Sequence, residues 1–239
     1  MPLKPPFPQP PRRLGAIILA RLDSSRLPRK GLIDIQGKPL LGYVVERVKA
    51  VAGVDDVALA TSSREVDAPL ADFAKEWGIS LFRGNLNDVA GRVLSCARKR
   101  EYSAFLRVNG DSPFFPIQEA QHGVEIFRQG KHHMVTNVQR RTFPPGMSVE
   151  IIDRASFAHG YQHMHSAEYQ EHVTKFFYEH PHHYLIHNFE SWDHSLGSLH
   201  LALDTPEDLE RIERIFNGLG KDHLQADTRE IIAMAKEVG

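Results

Sequence analysis

The feature that most constrains the fold is a regular alternation of short apolar runs with longer segments whose apolar residues recur at helical spacing. In the first half of the chain, the apolar runs are GAIILA, DDVALAT, ISLF and AFLRV. The segments that alternate with them are LLGYVVERVKAV, VDAPLADFAKEWG, DVAGRVLSCARKR and QEAQHGVEIFRQG. Strands that alternate with crossover helices are typical of a mainly parallel sheet covered on both faces. We therefore predict an α/β fold.

The second half is less regular. HHMVTN, MSVEIID, HYLIHNF and LHLALD are predicted strands, and SAEYQEHVTKFFYEH is a predicted helix that ends at Pro181. TPEDLERIERIF is a helix with a strong start, because Thr205 can cap it, Pro206 suits its first turn and Asp208 stands in the capping-box position. We predict a disordered proline-rich leader over residues 1–14 and one domain over 15–239. Within that domain, residues 138–195 form a substrate-covering or dimerisation segment.

Composition excludes several classes of protein. A net charge of −1 over 239 residues argues against a nucleic-acid-binding protein. No apolar run approaches the roughly 20 residues of a membrane span, so membrane insertion is not expected. The single cysteine, Cys96, excludes an internal disulfide and fits a reducing compartment. The start MPLKPPFPQPPRR lacks the apolar region of a secretory signal, and a cytoplasmic protein is predicted.

The stretch RLDSSRLPRKGL follows the first predicted strand directly. Ligands of open α/β sheets bind beyond the carboxyl ends of the strands, and this stretch lies there. It lacks the glycines of a Walker loop or a GxGxxG turn, and instead it carries side-chain charge and hydroxyls at Arg21, Ser24, Ser25, Arg26, Arg29 and Lys30. Arginine and lysine can grip phosphate oxygens, so the stretch could wrap a triphosphate. Charge alone leaves a solvated basic turn as an equal alternative.

The pattern R-x-x-S-x-R-L-P-x-K after the first strand resembles the signature of the sugar cytidylyltransferases. The chain is most similar to one branch of them, the spore-coat polysaccharide biosynthesis protein F family. The matching pieces, in order, are SSRLPRKGL, GKPLL, ALATS, FRGNLNDVAGRV, RVNGDSPFF, FPPGMSVEI, EHVTKFF and LDTPEDLERI. The resemblance implies a Rossmann-like, mixed but mainly parallel sheet of the nucleotide-diphospho-sugar transferase type, and a homodimer.

The resemblance also implies an activity. Its members activate acidic sugars such as 3-deoxy-manno-octulosonate and N-acetylneuraminate as CMP derivatives. The expected reaction is a Mg²⁺-dependent transfer of CMP from CTP to a sugar, an acidic one being favoured, with release of pyrophosphate. It would serve surface polysaccharide biosynthesis. A sugar hydroxyl would attack the α-phosphorus in line, without a covalent enzyme intermediate.

The resemblance assigns roles to individual residues. Arg21, Lys30 and Asp111 are the expected catalytic residues, and Asp111 and Asp204 are the expected metal ligands. The expected nucleotide-binding residues are Arg21, Ser24, Arg26, Lys30, Thr61, Arg83, Asn109 and Gly110. The expected sugar-binding residues are Arg107, Asn137, Glu150, Glu171 and His172. From the residues alone, Asp111 could instead open a turn before Pro113, and Asp204 could instead favour the dipole of the following helix.

The chain departs from the family pattern in the acceptor region. The family usually has Y-P-D-G-L-D-V-E, whereas this chain has Pro145 and Ser148 where the two aspartates would stand. The loss of two carboxylates could change the preferred sugar or abolish activity. Arg29 replaces the usual glycine of the first motif, but related sialic-acid-activating enzymes also carry arginine there.

Two alternative functions remain open, and a third hypothesis, a zinc site, is disfavoured. A glycosyltransferase that binds a finished nucleotide sugar would share the fold, although the chain has NGDSP in place of the D-x-D pair common in such enzymes. A non-catalytic homologue would bind nucleotide without releasing pyrophosphate. A zinc site among the 14 histidines is disfavoured, because none has the paired spacing of H-E-x-x-H and one cysteine offers no thiolate set.

Overall fold

The centre of the fold is a seven-stranded sheet in the order β5-β4-β1-β6-β8-β7-β9. The computed structural model describes residues 4–220 and 222–238. The strands of this sheet are β1 (Leu14–Leu19), β4 (Asp56–Ser62), β5 (Ser80–Gly84), β6 (Ala104–Asn109), β7 (Met134–Thr136), β8 (Glu150–Asp153) and β9 (Ile186–Asn188). Strands β2 (Asp34–Ile35) and β3 (Lys38–Pro39) form a separate antiparallel pair. Within the large sheet β8 is antiparallel to both neighbours and every other pairing is parallel, which confirms the predicted mixed, mainly parallel sheet.

Helices cover both faces of the sheet. They are α1 (Leu40–Lys49), α2 (Pro69–Glu76), α3 (Val89–Lys99), α4 (Ile117–Phe127), α5 (Arg154–Tyr161), α6 (Ala167–Glu171), α7 (Lys175–Glu179), α8 (Pro206–Leu219) and α9 (Thr228–Val238). Because side chains alternate along a strand, Ile18 of β1 enters the core beneath α1, α2 and α4, whereas Ile17 enters the core beneath α3 and α5. A third apolar cluster joins α8 and α9 to the start of α1.

The predicted strands and helices of the first half are all present. Helix α2 is followed by Gly78, whose φ of 57° is the left-handed conformation expected of a helix-stopping glycine. Helix α8 carries the complete predicted capping box between Thr205 and Asp208, with Pro206 at its first position. These helices are predictable because their start and stop signals lie within the helix itself.

Two predictions for the second half are wrong, and two helices were missed. SAEYQEHVTKFFYEH is not one helix but α6 and α7, because the backbone leaves helical geometry at His172 and Val173 turns into the core. LHLALD is not a strand, since its backbone N–H groups bond to loops: Leu201 donates to Pro145 O at 2.8 Å and Leu203 to Asp111 O at 2.9 Å. Helices α5 and α9 were not predicted.

The structure describes the predicted leader from residue 4 onward. Residues 4–13 of the predicted leader form no helix or strand, and Pro6 O accepts a hydrogen bond from His133 Nε2 at 2.9 Å. Residues 1–3 lie outside the described part of the chain.

The segment 138–195 supplies β8 and β9 to the large sheet. Across 4–220 and 222–238, none of the helices combines the length and the apolarity needed to cross a membrane.

Candidate active site

The candidate site lies where the parallel strands β1 and β6 end side by side. A cavity of about 420 Å³ opens there. Gly110, just after β6, donates its backbone N–H to Leu19 O at 2.8 Å, and a Cβ at this position would stand 2.9 Å from that same oxygen. Glycine therefore allows the two strand ends to approach closely, and the loops that follow them face one cavity.

One wall of the cavity is the basic loop, which we define as residues 21–32. Arg29 N donates to Leu22 O at 2.9 Å, which closes the loop, and a short 3₁₀ turn over Lys30–Leu32 ends it. The φ of Arg29 is 58°, a left-handed conformation that glycine adopts at less cost than arginine. The start of the loop is held in place by the buried Asp67, which accepts a hydrogen bond from Leu22 N at 2.7 Å.

Lys30 links the basic loop to two carboxylates from distant parts of the chain. Its Nζ lies 2.7 Å from Asp111 Oδ2 and 3.0 Å from Asp204 Oδ1, and it also donates to Leu203 O at 2.9 Å. Arg26 Nη2 contacts the same Oδ1 of Asp204 at 3.0 Å. Asp111 follows β6 and Asp204 precedes α8, so the fold brings together two carboxylates that lie far apart in sequence. They converge on one cation.

This pair of carboxylates is also the donor set that could hold a divalent metal. Among the described residues, no group of three or more histidine, cysteine, aspartate or glutamate side chains is placed to bind a metal ion. Magnesium in nucleotide sites is bound by one or two carboxylates, and substrate phosphates and waters complete its coordination. Asp111 and Asp204, which both contact the ammonium group of Lys30, fit that requirement.

A second cavity of about 330 Å³ adjoins the first. Arg107, Asn109 and His172 line both cavities, so the two form adjoining compartments. In the wall of the second cavity, Glu150 is buried, its Oε2 lies 2.5 Å from Arg107 Nη1, and its Oε1 accepts a hydrogen bond from Tyr178 at 2.6 Å. Burial alone would raise the pKa of Glu150, but the charge of Arg107 and these hydrogen bonds outweigh it and hold the pKa below its ordinary value. Glu150 is therefore ionised and paired.

The structure brings most of the predicted residues into these two cavities. The first is lined by Arg21, Ser24, Arg26, Lys30, Arg107, Asn109, Gly110, Asp111, Glu171, His172 and Asp204. The second contains Arg107, Glu150 and His172 among the predicted sugar-binding residues. Arg21 reaches across the first cavity to Glu171, with 3.5 Å between Nη1 and Oε1.

Three predicted residues lie outside both cavities. Arg83 donates to the backbone oxygens of Ser62 at 3.2 Å and Arg64 at 2.8 Å, which fastens the end of β4. Thr61 is buried in β4, and its hydroxyl has no hydrogen-bond partner within the described residues. Asn137 accepts from Val149 N at 2.8 Å and donates to Met147 O at 2.9 Å. The side chains of Arg83 and Asn137 therefore hydrogen-bond to the backbone and do not line either cavity.

Besides Ser148, which the sequence marks only as a departure from the family pattern, five lining residues of the second cavity were not identified from the sequence: Val138, Arg141, Thr174, Lys175 and Tyr178. The spacing of Thr174 and Tyr178, four residues apart, is a signal that could have found them, because such residues share a helix face. No comparable signal marks Arg141, which lies in a turn.

Comparison with known proteins agrees with this geometry. A family model described as "Cytidylyltransferase" matches residues 15–231. Spore coat polysaccharide biosynthesis protein SpsF of Bacillus subtilis (strain 168) is 29% identical over 214 residues, which are 86% of this chain and 87% of that protein. A 3-deoxy-manno-octulosonate cytidylyltransferase of Anaeromyxobacter sp. (strain K) is 38% identical over 104 residues, 43% of this chain and 42% of the enzyme.

A solved structure extends the likeness to the whole fold. A cytidylyltransferase from Leptospira borgpetersenii serovar Hardjo-bovis (strain JB197) superposes with a TM-score of 0.88 at 25% identity. The match covers 94% of each chain.

Proposed function

The chain belongs to the cytidylyltransferase family and is a nucleotidyltransferase, and from this premise we propose that it transfers CMP from CTP to a sugar hydroxyl with release of pyrophosphate. The observation that carries the proposal is the meeting of Lys30 with Asp111 and Asp204 at the carboxyl edge of the sheet. Cations for a triphosphate and carboxylates for a metal are thus combined in one cavity.

The basic loop supplies the groups that would bind the triphosphate. Arg21, Arg26 and Lys30 all line the first cavity. Guanidinium groups can hold phosphate oxygens in pairs, and the ammonium group adds a compact charge beside them. These cations would also offset the charge that develops on the departing pyrophosphate.

Asp111 and Asp204 would hold Mg²⁺ together with phosphate oxygens. When bound, the ion would stabilise negative charge on the α-phosphate. Lys30 contacts both carboxylates, so its ammonium group would compensate their negative charges. The same group would also contact phosphate oxygens of a triphosphate bound in this cavity.

The adjoining second cavity is placed to hold the sugar. A hydroxyl directed from it toward the first cavity would attack the α-phosphorus as the bond to pyrophosphate breaks. His172 lines both cavities, and its imidazole is the group that would accept the hydroxyl proton. Positioning of this kind can account for much of the rate without a covalent intermediate.

The names of relatives support the class of substrate and the setting. One relative is a 3-deoxy-manno-octulosonate cytidylyltransferase, and another is a spore coat polysaccharide biosynthesis protein. We therefore place the reaction in surface polysaccharide biosynthesis, with a sugar acid as the favoured acceptor. A homodimer and a cytoplasmic location stay predictions from the sequence.

Calorimetric titration with CTP, ATP, GTP and UTP in the presence of Mg²⁺ tests the nucleotide half of the proposal. We expect selective binding of CTP that weakens when Arg21 or Lys30 is replaced by alanine. If none of the four nucleotides binds, the basic loop is only a charged turn and the proposal fails.

Pyrophosphate release with a panel of sugar acids tests the catalytic half. Asp111→Ala should reduce release by about 100-fold or more, because the metal would lose one of its two protein carboxylates. Asp72→Ala, which removes an exposed carboxylate on α2, is the matched control and should leave release unchanged. Undiminished turnover in folded Asp111→Ala would contradict the metal assignment.

A further inference from the structure

The charges that line the second cavity are not balanced. Its charged side chains are Arg107, Arg141, Glu150 and Lys175, three cations and one carboxylate. Glu150 is fully engaged, since one oxygen faces Arg107 and the other accepts from Tyr178. The buried carboxylate therefore cannot serve a second cation.

Lys175 is engaged outside the cavity. Its ammonium group is paired with Glu168 of α6 and lies 3.5 Å from Glu179 Oε1 of α7. These two carboxylates do not line the cavity, and together they offset the charge of Lys175. Lys175 is not an uncompensated cation in the second cavity.

Arg141 differs from the other two cations. Within residues 4–220 and 222–238, the one hydrogen bond of its side chain runs from Nη1 to the hydroxyl oxygen of Ser148, at 3.4 Å, and no carboxylate forms an ion pair with it. The side chain is exposed and lines the cavity. A guanidinium group in this situation retains donors that a planar anion can accept in pairs.

The residue opposite Arg141 makes this possible. An aspartate in place of Ser148 would stand beside the guanidinium group, because the serine hydroxyl already lies 3.4 Å from Arg141 Nη1. A carboxylate at that distance would form an internal ion pair and offset the charge of Arg141. Serine accepts a hydrogen bond without adding charge, so the cavity stays net positive.

We propose that Arg141 is a specificity-determining residue that pairs with a carboxylate of the acceptor sugar, and that Ser148 leaves it available for this role. The inference rests on the proposed function, since it treats the second cavity as the acceptor compartment. The guanidinium group of Arg141 would select an acidic acceptor, and it would be available for this because position 148 carries no carboxylate.

The probes are 3-deoxy-manno-octulosonate, N-acetylneuraminate and the methyl ester of each, in which a methyl group on one carboxyl oxygen removes the negative charge. Binding of each probe is measured by calorimetry, and pyrophosphate release is measured at saturating CTP and Mg²⁺. We expect wild-type protein to bind and use at least one acid, and to bind its ester about tenfold more weakly or worse.

Three variants locate the effect. Arg141→Ala should raise the KM for the acid about tenfold or more, with little change in kcat or in CTP affinity, and should not alter the response to the ester. Ser148→Asp should have the same direction of effect, since the new carboxylate would pair with Arg141. Arg140→Ala is the matched control, because the neighbouring arginine pairs with Glu190 outside both cavities and should leave all values unchanged.

The outcomes separate the inference from the proposed function. Acids that bind no better than their esters, or an Arg141→Ala variant with unchanged KM and acid affinity, would overturn the inference while CTP binding stands. Acid binding that depends on Arg141 in a protein that binds no CTP would retain the inference about the cavity and overturn the proposed function. Equal thermal unfolding of all variants shows that the differences are local.

Discussion

At the scale of the residue, Lys30 combines two electrostatic roles that one substitution can separate. Its ammonium group compensates Asp111 and Asp204 and would also face the triphosphate. Lys30→Met should therefore strengthen Mg²⁺ binding in the absence of nucleotide by several-fold, because two carboxylates lose their shared cation. The same variant should weaken CTP binding about tenfold, because one charge-assisted contact is lost.

Separate calorimetric titrations with Mg²⁺ and with CTP measure the two effects of Lys30→Met. Arg26→Met is the comparison, since Arg26 contacts only Asp204 and should change Mg²⁺ affinity less. Unchanged Mg²⁺ affinity in Lys30→Met would show that the two carboxylates do not form one cation site.

Asp67 is the residue that anchors the basic loop. This wholly buried carboxylate accepts hydrogen bonds from Leu22 N, at 2.7 Å, and from the hydroxyl of Ser62. Asp67→Ala should lower the free energy of unfolding by about 2–3 kcal/mol, because buried donors lose their acceptor. Asp67→Asn should cost less, since an amide oxygen can still accept from Leu22. Urea denaturation measures both, and equal losses would contradict the assignment to this hydrogen bond.

At the scale of the element, the N-terminus of α8 sets the position of Asp204. Asp208 Oδ2 accepts from Asp204 N at 3.0 Å and from Thr205 N at 2.9 Å, while Thr205 Oγ1 accepts from Asp208 N at 3.3 Å. Thr205→Ala should cost about 1 kcal/mol of stability and leave CTP turnover nearly unchanged. Asp208→Ala should also reduce turnover, because the backbone of Asp204 loses its acceptor.

Thermal unfolding and pyrophosphate release, measured on both α8 variants, distinguish a cap from a positioning group. If the two variants lose turnover equally, the cap of α8 as a whole, and not Asp208 in particular, orients Asp204.

The same elements show how far sequence reasoning reaches. Helix α8 was predictable because its capping residues are local, and the basic loop was recognisable because its cations lie within one short stretch. The break at His172 was not, because it depends on the burial of Val173 beneath α3. LHLALD has strand-like composition, but its N–H groups bond to loops that only the folded chain brings near.

The candidate site also combines residues that local sequence reveals with contacts that only the folded chain reveals. Asp111 and Asp204 could each be suspected from sequence, yet their shared contact with Lys30 is a property of tertiary structure. Arg141 carries no local signal at all. Its importance comes from the partners of the other charged residues, and those pairings join separate segments of the chain.

At the scale of the whole molecule, buried and half-buried histidines should make the free energy of unfolding depend on pH well above the pH range in which carboxylates titrate. Burial lowers the pKa of His132, His133 and His223 below the ordinary value of 6.5. As pH falls through 6.5, the unfolded chain binds protons before the folded chain does. The free energy of unfolding should then decrease, by up to about 1.4 kcal/mol per pH unit for each such histidine, until the folded pKa is passed.

Thermal unfolding between pH 8 and pH 5 checks this expectation, and His133 provides the matched variant. Its Nδ1 accepts from Leu185 N at 2.7 Å and its Nε2 faces Pro6 O at 2.9 Å, so the neutral ring carries its proton on Nε2. His133→Asn should be less stable at pH 8 but should lose less stability on acidification. A wild-type protein with constant Tm down to pH 5 would contradict the prediction.

The wall that the two cavities share has a consequence for ligand design. Arg107, Asn109 and His172 line both compartments, so a nucleotide donor and a sugar acceptor would lie side by side. A cytidine phosphate tethered by a short linker to a sugar acid would engage the second compartment at a high effective concentration once the first is filled. Such a tethered molecule should bind more tightly than either half, and the optimal linker length would report the distance between the two subsites.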